Sequence, residues 1–334
     1  MLGLTRNVQM ATWFSGPRLT TYYEKFTTSG SWTAPAGVSS IKLLVVGGGG
    51  SGGFATGGGG GAGGARYSVS NVTPGTTYTI TIGAGAAKST VDGTAGARGA
   101  NTTVTGTGFS NVSSTGGGYG AAVTTAVVAT YGGDGGSGGG SGYINGNSGT
   151  AFGGGVALNG NGVEGWYGGN VYDVDITVYG NNYPYVGGGG GGAGGGSFPF
   201  GGPSSTAGQS NWLAGSGGDG ILNANVGGLI NATSSGVSGR IAAGGGGAAN
   251  WSDDLYGVSG NAYAVPGLGG VGGGGNGGEC FAVSPYATHY SNVQARSTTM
   301  ASSGVVNTGG GGGAGQEAAN GAGGSGIVIL SYTV

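Results

Sequence analysis

A Ser, His and Asp triad in this chain would have to use its single imidazole, His289, which sits in the aromatic segment Pro285 to Tyr290. No nucleophile elbow surrounds a candidate serine, so His289 reads as a surface or loop-packing residue. Cys280 follows Glu279, an acidic neighbour that disfavours thiolate and makes the thiol inert. Paired carboxylates at Asp173 with Asp175 and at Asp253 with Asp254 have the residue types of a glycosidase, which sets two acids about 5 to 10 Å apart. The long repetitive β-helix that glycan-depolymerising spikes use is absent. The Asp173 and Asp175 pair could help hold Ca²⁺ with backbone carbonyls, but no EF-hand spacing follows it, and solvated loop acids are the better reading. The expectation is a protein that is not an enzyme and uses no cofactor or metal.

Binding chemistry is better represented. The segment from Gly162 to Val186 carries Trp166, Tyr167, Tyr172, Tyr179, Tyr183 and Tyr185 among Asn and Asp. Further aromatics, Trp251, Tyr256, Tyr286 and Tyr290, lie in two later segments. Aromatic rings cover apolar sugar faces while amides bond hydroxyls, and Tyr, Ser, Gly and Asn are the residues that binding loops favour. These ten residues are the receptor-binding candidates, with Trp166, Tyr167 and Trp251 expected to be among the more exposed. Some of the rings could instead cap the ends of a glycine layer.

The elements that must position these aromatics follow from composition. Of 334 residues, 94 are Gly, and 6% are charged. Disordered chains are rich in charge and poor in aromatics, whereas this one has 17 Tyr, 8 Phe and 5 Trp, so order is expected. Seven of the basic residues (Arg6, Arg18, Lys25, Lys42, Arg66, Lys88, Arg98) fall within residues 1–115, and nine of the acids fall within 116–324. The acidic part should repel nucleic acid. The apolar runs from Ile41 to Val46 and from Ile327 to Leu330 are too short to span a bilayer, so membrane insertion is not expected. Residues 1–21 lack the apolar core of a secretory signal.

Strands are expected at Tyr22 to Thr27, Ile41 to Val46, Tyr67 to Val72, Thr77 to Ile82 and Thr102 to Thr105, which are rich in Val, Ile, Thr and Tyr. Thr77 to Ile82 alternates strictly, with Tyr78, Ile80 and Ile82 on one face. Thr73-Pro74-Gly75-Thr76 has type II turn chemistry and is expected to join the third and fourth of these strands as a hairpin. The last segment, Gly326 to Val334, is apolar on both faces at its start and needs partners, which the strands of residues 22–105 can supply. The expected fold is all-β, with a β-sandwich made by both chain ends. Its divisions are an attachment segment 1–21, a sandwich 22–115 completed by 325–334, and a Gly-rich insertion 116–324.

Runs of Gly with Ala or Ser occur at 57–64, 132–142, 187–196, 244–249, 267–278 and 309–315, and GGGGGAG recurs at 57–63, 188–194 and 309–315. Their spacing is irregular and there are 8 Pro, which excludes a fixed-repeat solenoid and collagen. Ordering Gly costs roughly 1 to 2 kcal/mol per residue, so many backbone contacts must offset it. Three-residue-per-turn polyglycine helices packed closely enough to bond to one another provide them. Flexible loops hung from the sandwich are the alternative.

With these pieces in place the chain resembles the glycine-rich-domain proteins of phage tails. The resemblance rests on FTTSGSWTAPAGVSSIKLLVVGGGGSGG (Phe26 to Gly53), GGGGGAGG (Gly57 to Gly64), VTPGTTYTITIGAG (Val72 to Gly85) and GAGGSGIVILSYTV (Gly321 to Val334). In composition it is also similar to the distal adhesins of T-even-like phages, in which stacked polyglycine helices carry receptor-binding loops. The resemblance implies a virion protein, often at or near a tail fibre; without a secretory signal it is expected to be made in the host cytoplasm and released by lysis, and the expected role is a tail-fibre tip adhesin. Its partners would be other virion subunits and a host surface receptor, either a glycan or an outer-membrane protein. Trp13, Phe14 and Arg18, which precede the family pattern, are the candidates for attachment to the virion. The alternative is a structural virion protein, such as a capsid decoration or fibre component.

Overall fold

The computed structural model describes residues 19–54, 57–91, 93–122, 131–142, 154–158, 163–170, 185–194, 202–206, 209–251, 263–281, 300–315 and 320–334. Seven strands come from the first part of the chain: β1 (Thr21–Phe26), β2 (Gly30–Thr33), β3 (Ser40–Val46), β4 (Ala65–Asn71), β5 (Thr77–Thr81), β6 (Thr102–Thr105) and β7 (Val112–Ser114). The closing strand, Ile327–Thr333, inserts between β1 and β3. One antiparallel sheet therefore runs β1, closing strand, β3, β4, with the short strand Val163–Glu164 at its edge, and a second runs β2, β5, β6, β7. The fold is all-β, and the last segment finds its partners where its sequence requires them.

Alternation decides which face each strand buries. Ile41, Leu43 and Val45 of β3 and Val328 and Leu330 of the closing strand meet Trp32, Tyr78, Ile80, Val104 and Val112 of the second sheet in one buried cluster. Each fully buried Leu, Ile or Phe in such a cluster contributes about 1.5 to 3 kcal/mol. The opposite face of the first sheet is buried as well. There Leu44, Val46, Ile327 and Ile329 pack against Ile221, Val226, Leu229, Ile230 and Ile241. Those five belong to a compact cap in which Ile221–Leu222 pairs with Arg240–Ile241 around a 3₁₀ turn (Asn223–Val226) and one α-helical turn (Leu229–Ala232). Gly227 and Gly228, at φ 62° and 82°, reverse the chain between the two turns.

One expectation is corrected. The strands flanking Thr73 to Thr76 do not form a hairpin: β4 pairs with β3, whereas β5 pairs with β2 and β6. The turn is real, since Thr76 N donates to Thr73 O at 3.1 Å and Gly75 has φ 78°. It carries the chain from one sheet to the other, because the apolar faces of β4's neighbour β3 and of β5 must oppose each other across the core.

The glycine runs grow out of the strands at one end of the sandwich. β3 continues into 47–54 and β7 into 115–122, while 57–64, 96–101 and 320–326 lead into β4, β6 and the closing strand. The backbone bonds of 57–64 have a period of three. The N–H groups of Gly58, Gly61 and Gly64 reach Ala121, Gly118 and Thr115; those of Gly59 and Ala62 reach Gly188 and Gly191; those of Gly60 and Gly63 reach Gly312 and Gly309. Its carbonyls accept in the same rhythm from three further segments, Gly47/Gly50/Gly53, Ser137/Gly140 and Gly245/Ala248. Segment 57–64 is thus the centre of a six-neighbour array of three-residue-per-turn helices, the polyglycine II arrangement. None of the glycines from 57 to 64 has a positive φ, so backbone conformation does not demand glycine there. Packing does, since a Cβ on Gly58, Gly59, Gly60, Gly61 or Gly63 would strike the carbonyl of a neighbouring helix.

Candidate functional site

Helices at the edge of the array keep glycine on the side facing inward and carry side chains on the other sides. In the segment 165–170, a Cβ on Gly165 or Gly168 would meet the carbonyls of Gly136 or Gly139, so these two positions face the array. Trp166 and Tyr167 lie between them and project outward, 46% and 55% exposed. The segment is held on both sides: Gly138 N donates to Trp166 O at 2.9 Å and Ser141 N to Gly169 O at 3.1 Å, while Gly168 N donates to Gly155 O at 3.0 Å. The two rings stand edge to face, with centroids 6.3 Å apart and planes at 65°.

The adjoining segment 154–158 enlarges this surface. Gly154 N bonds Asn170 Oδ1 at 2.8 Å and Val156 N bonds Asp134 Oδ1 at 2.7 Å, with Leu158 N on Gly135 O at 2.7 Å. Val156 and Leu158 are exposed, as is Tyr131. The result is an apolar and aromatic surface on a backbone pinned by hydrogen bonds. Sequence reasoning missed Val156 and Leu158. Their signal was two bulky apolar residues directly after a glycine run, where an edge helix turns its side chains to solvent.

The other candidates divide by position. Tyr185 lies in the strand Tyr185–Val186, opposite Asn250, and Trp251 ends the strand Ala249–Trp251, opposite Phe281. These strands extend glycine segments 187–194 and 242–248 at the array's end remote from the sandwich, where Gly187 N meets Ala248 O at 2.8 Å. Glu279 and Cys280 lie in the parallel neighbour Glu279–Phe281. Tyr172, Tyr179, Tyr183, Tyr256, Tyr286, Tyr290, the acids Asp173, Asp175, Asp253 and Asp254, His289, and the attachment candidates Trp13, Phe14 and Arg18 lie outside the described residues. The described glycine segments are bonded to one another at the end remote from the sandwich. There Gly53 N bonds Gly58 O, Gly58 N bonds Ala121 O, Ala121 N bonds Gly140 O, Gly315 N bonds Gly53 O, Gly188 N bonds Ser141 O and Ala248 N bonds Gly57 O.

Among the described residues no three His, Cys, Asp or Glu side chains come together as metal ligands, and no helix is long and apolar enough to cross a membrane. The ion pair Arg240 to Asp219, at 3.2 Å, ties the cap to a glycine segment. Arg98 lies over the Tyr119 ring at 5.8 Å, a cation–π contact between two edge helices.

Fold and surface together define a class: a β-sandwich from which a hydrogen-bonded glycine array presents aromatic side chains. The model of the glycine-rich domain matches residues 25–222, more than half of the 334-residue chain, and the chain belongs to that family. No curated protein matches it.

Proposed function

We propose that this protein is a virion component acting as a tail-fibre tip adhesin, which binds a glycan or outer-membrane protein of the host surface through aromatic side chains held on the glycine array. The observation that carries this reading is the Trp166 and Tyr167 pair, exposed on a segment whose neighbouring glycines are bonded into the array. Rings fixed on a rigid backbone lose little entropy on binding, and each offers a flat apolar face with a polar tip. The remote end of the array, where strands bearing Tyr185 and Trp251 emerge, supports the same reading, because it faces away from the sandwich.

The test is competition and location. Purified chain should slow adsorption of the parent particle to host cells in proportion to its concentration, and immunogold label should fall on the distal fibre end. Label over the capsid with no competition would favour the structural-protein alternative. No label on any particle would remove the virion assignment itself.

A further inference from the structure

β1 is six residues long, without bulge or proline, and has a partner on one side among the described residues. Which of its backbone groups face the open side follows from the ladder. Thr20 and Val334 exchange both bonds, N to O, at 2.9 and 3.0 Å. In an antiparallel pair, bonded and non-bonded residues alternate. With Thr21 opposite Thr333 and Phe26 opposite Val328, the bonds to the closing strand fall at Tyr22, Glu24 and Phe26. The N–H and C=O groups of Thr21, Tyr23 and Lys25 therefore point away from the sheet. Tyr23 is 47% exposed, and its face of the sheet is the outer one, where Lys25 Nζ donates to Thr233 O at 3.2 Å. The other edges are shorter or partly met: β2 has four residues, β7 three, and β4 is paired at Ala65 and Arg66 by Val163–Glu164. A long unbulged edge with a row of free donors and acceptors is a template for another strand.

We infer that this edge pairs with β1 of a second copy, in antiparallel register about a two-fold axis through Tyr23, joining two first sheets into one. A two-fold that keeps both sheets' faces aligned must pass through a residue, and the choices are few. Through Glu24 it would bond Tyr23 to Lys25 but set the two Glu24 carboxylates directly opposite each other, and through Tyr22 it would bond Thr21 to Tyr23 and leave Lys25 outside the β1 pairing. Through Lys25 it would oppose two ammonium groups. Through Tyr23 it places Tyr23 opposite Tyr23 and Thr21 opposite Lys25, so all three outward residues bond. Tyr22 then lies opposite Glu24, and no like charges meet. The inference concerns the sandwich and is independent of the receptor reading.

The experiment uses the full chain, with cysteine variants in a Cys280→Ser background. Sedimentation of the unsubstituted chain at tens of micromolar should show a two-chain species. Tyr23→Cys should form a disulfide-linked dimer on mild oxidation, since directly opposed Cα atoms lie within disulfide reach. Lys25→Cys alone should not cross-link, whereas Lys25→Cys mixed with Thr21→Cys should. A single-chain species with no cross-link at Tyr23→Cys overturns the inference, and so does cross-linking of Lys25→Cys alone that equals that of Tyr23→Cys.

Discussion

Glu24 Oε1 accepts a hydrogen bond from Trp32 Nε1 at 3.0 Å, so a side chain of the first sheet is tied directly to one of the second. The same oxygen accepts from the Tyr332 hydroxyl, also at 3.0 Å, and Tyr332 stacks on Tyr22 with ring centroids 5.5 Å apart. From there the rings continue inward through Trp32 and Tyr78 to Phe109, each pair within 6 Å. One carboxylate thus anchors the outer end of an aromatic series that runs into the core.

This arrangement sets an alkaline limit on stability. Burial raises the Tyr332 pKa above the ordinary tyrosine value, with the hydrogen bond to Glu24 and its negative charge adding to the effect. A group whose folded pKa is raised contributes stability that is present below its unfolded pKa, near 10, and is lost as pH rises through the folded value. Thermal unfolding between pH 7 and 11 should therefore show a loss beginning above pH 10. In Glu24→Gln, absorbance titration should show Tyr332 ionising earlier than in the unsubstituted chain. An unchanged tyrosine titration in Glu24→Gln would refute the coupling.

Glycines without a positive φ should respond to substitution by location in the array. Gly60→Ala puts a methyl against the Gly50 carbonyl in the central helix. Overpacking of that kind costs about 1 to 3 kcal/mol and more where backbone must move. Gly30, in β2, has nothing within 4 Å of its would-be Cβ and no positive φ, so Gly30→Ala should be neutral or stabilise by about 0.4 to 1 kcal/mol through the unfolded chain. Denaturant midpoints of the two variants give the comparison directly. Equal effects would mean that the glycine array does not limit stability.

Ser137 lies inside the array with its hydroxyl fully buried and, among the described residues, without a hydrogen-bond partner. Ser51 and Ser141, equally buried, do bond, to Ala97 N at 2.8 Å and Gly169 O at 3.2 Å. An unpaired buried hydroxyl costs about 1 to 3 kcal/mol. Ser137→Ala keeps the Cβ and removes the oxygen, and should leave stability unchanged or raise it by about 1 kcal/mol. The same change at Ser51 should lower it. Chemical denaturation of both variants distinguishes the two sites, and destabilisation at Ser137 would point to a partner for its hydroxyl.

Strands whose alternation is local were legible: Thr77–Thr81 reads as buried and exposed residues in turn, and it is so, whereas the short β2 and β7 were not expected. The partner of β5 was not legible. Pro74 and Gly75 specify a turn, but which strand lies beyond it is decided by the core that Ile41, Leu43 and Val45 share with Tyr78 and Ile80. The six-neighbour packing was likewise hidden, because an interior helix such as 57–64 is nearly all glycine and shows no period. The period appears at the edge, as Gly96 and Gly99 or Gly165 and Gly168, where inward positions alone require glycine. The cap over the first sheet had a readable signal in Ile221, Leu222, Val226, Leu229 and Ile230, five large apolar residues within ten, set among glycine-rich neighbours.

The aromatic surface admits a separation of binding from folding. Trp166 and Tyr167 are exposed, and the bond from Gly138 N to Trp166 O uses backbone that survives truncation to Ala. The double change Trp166→Ala with Tyr167→Ala should shift stability by no more than about 0.5 kcal/mol, the range of surface substitutions. Under the proposed function, host adsorption of particles carrying the double variant should fall severely, because residues that dominate a binding surface cost 2 kcal/mol or more each on truncation, roughly 30-fold in affinity. Val156→Ala with Leu158→Ala, on the neighbouring segment, should weaken adsorption less, since aliphatic residues seldom dominate such surfaces. Unaltered adsorption together with an unaltered melting curve in the Trp166 and Tyr167 variant would show that these rings are not anchors.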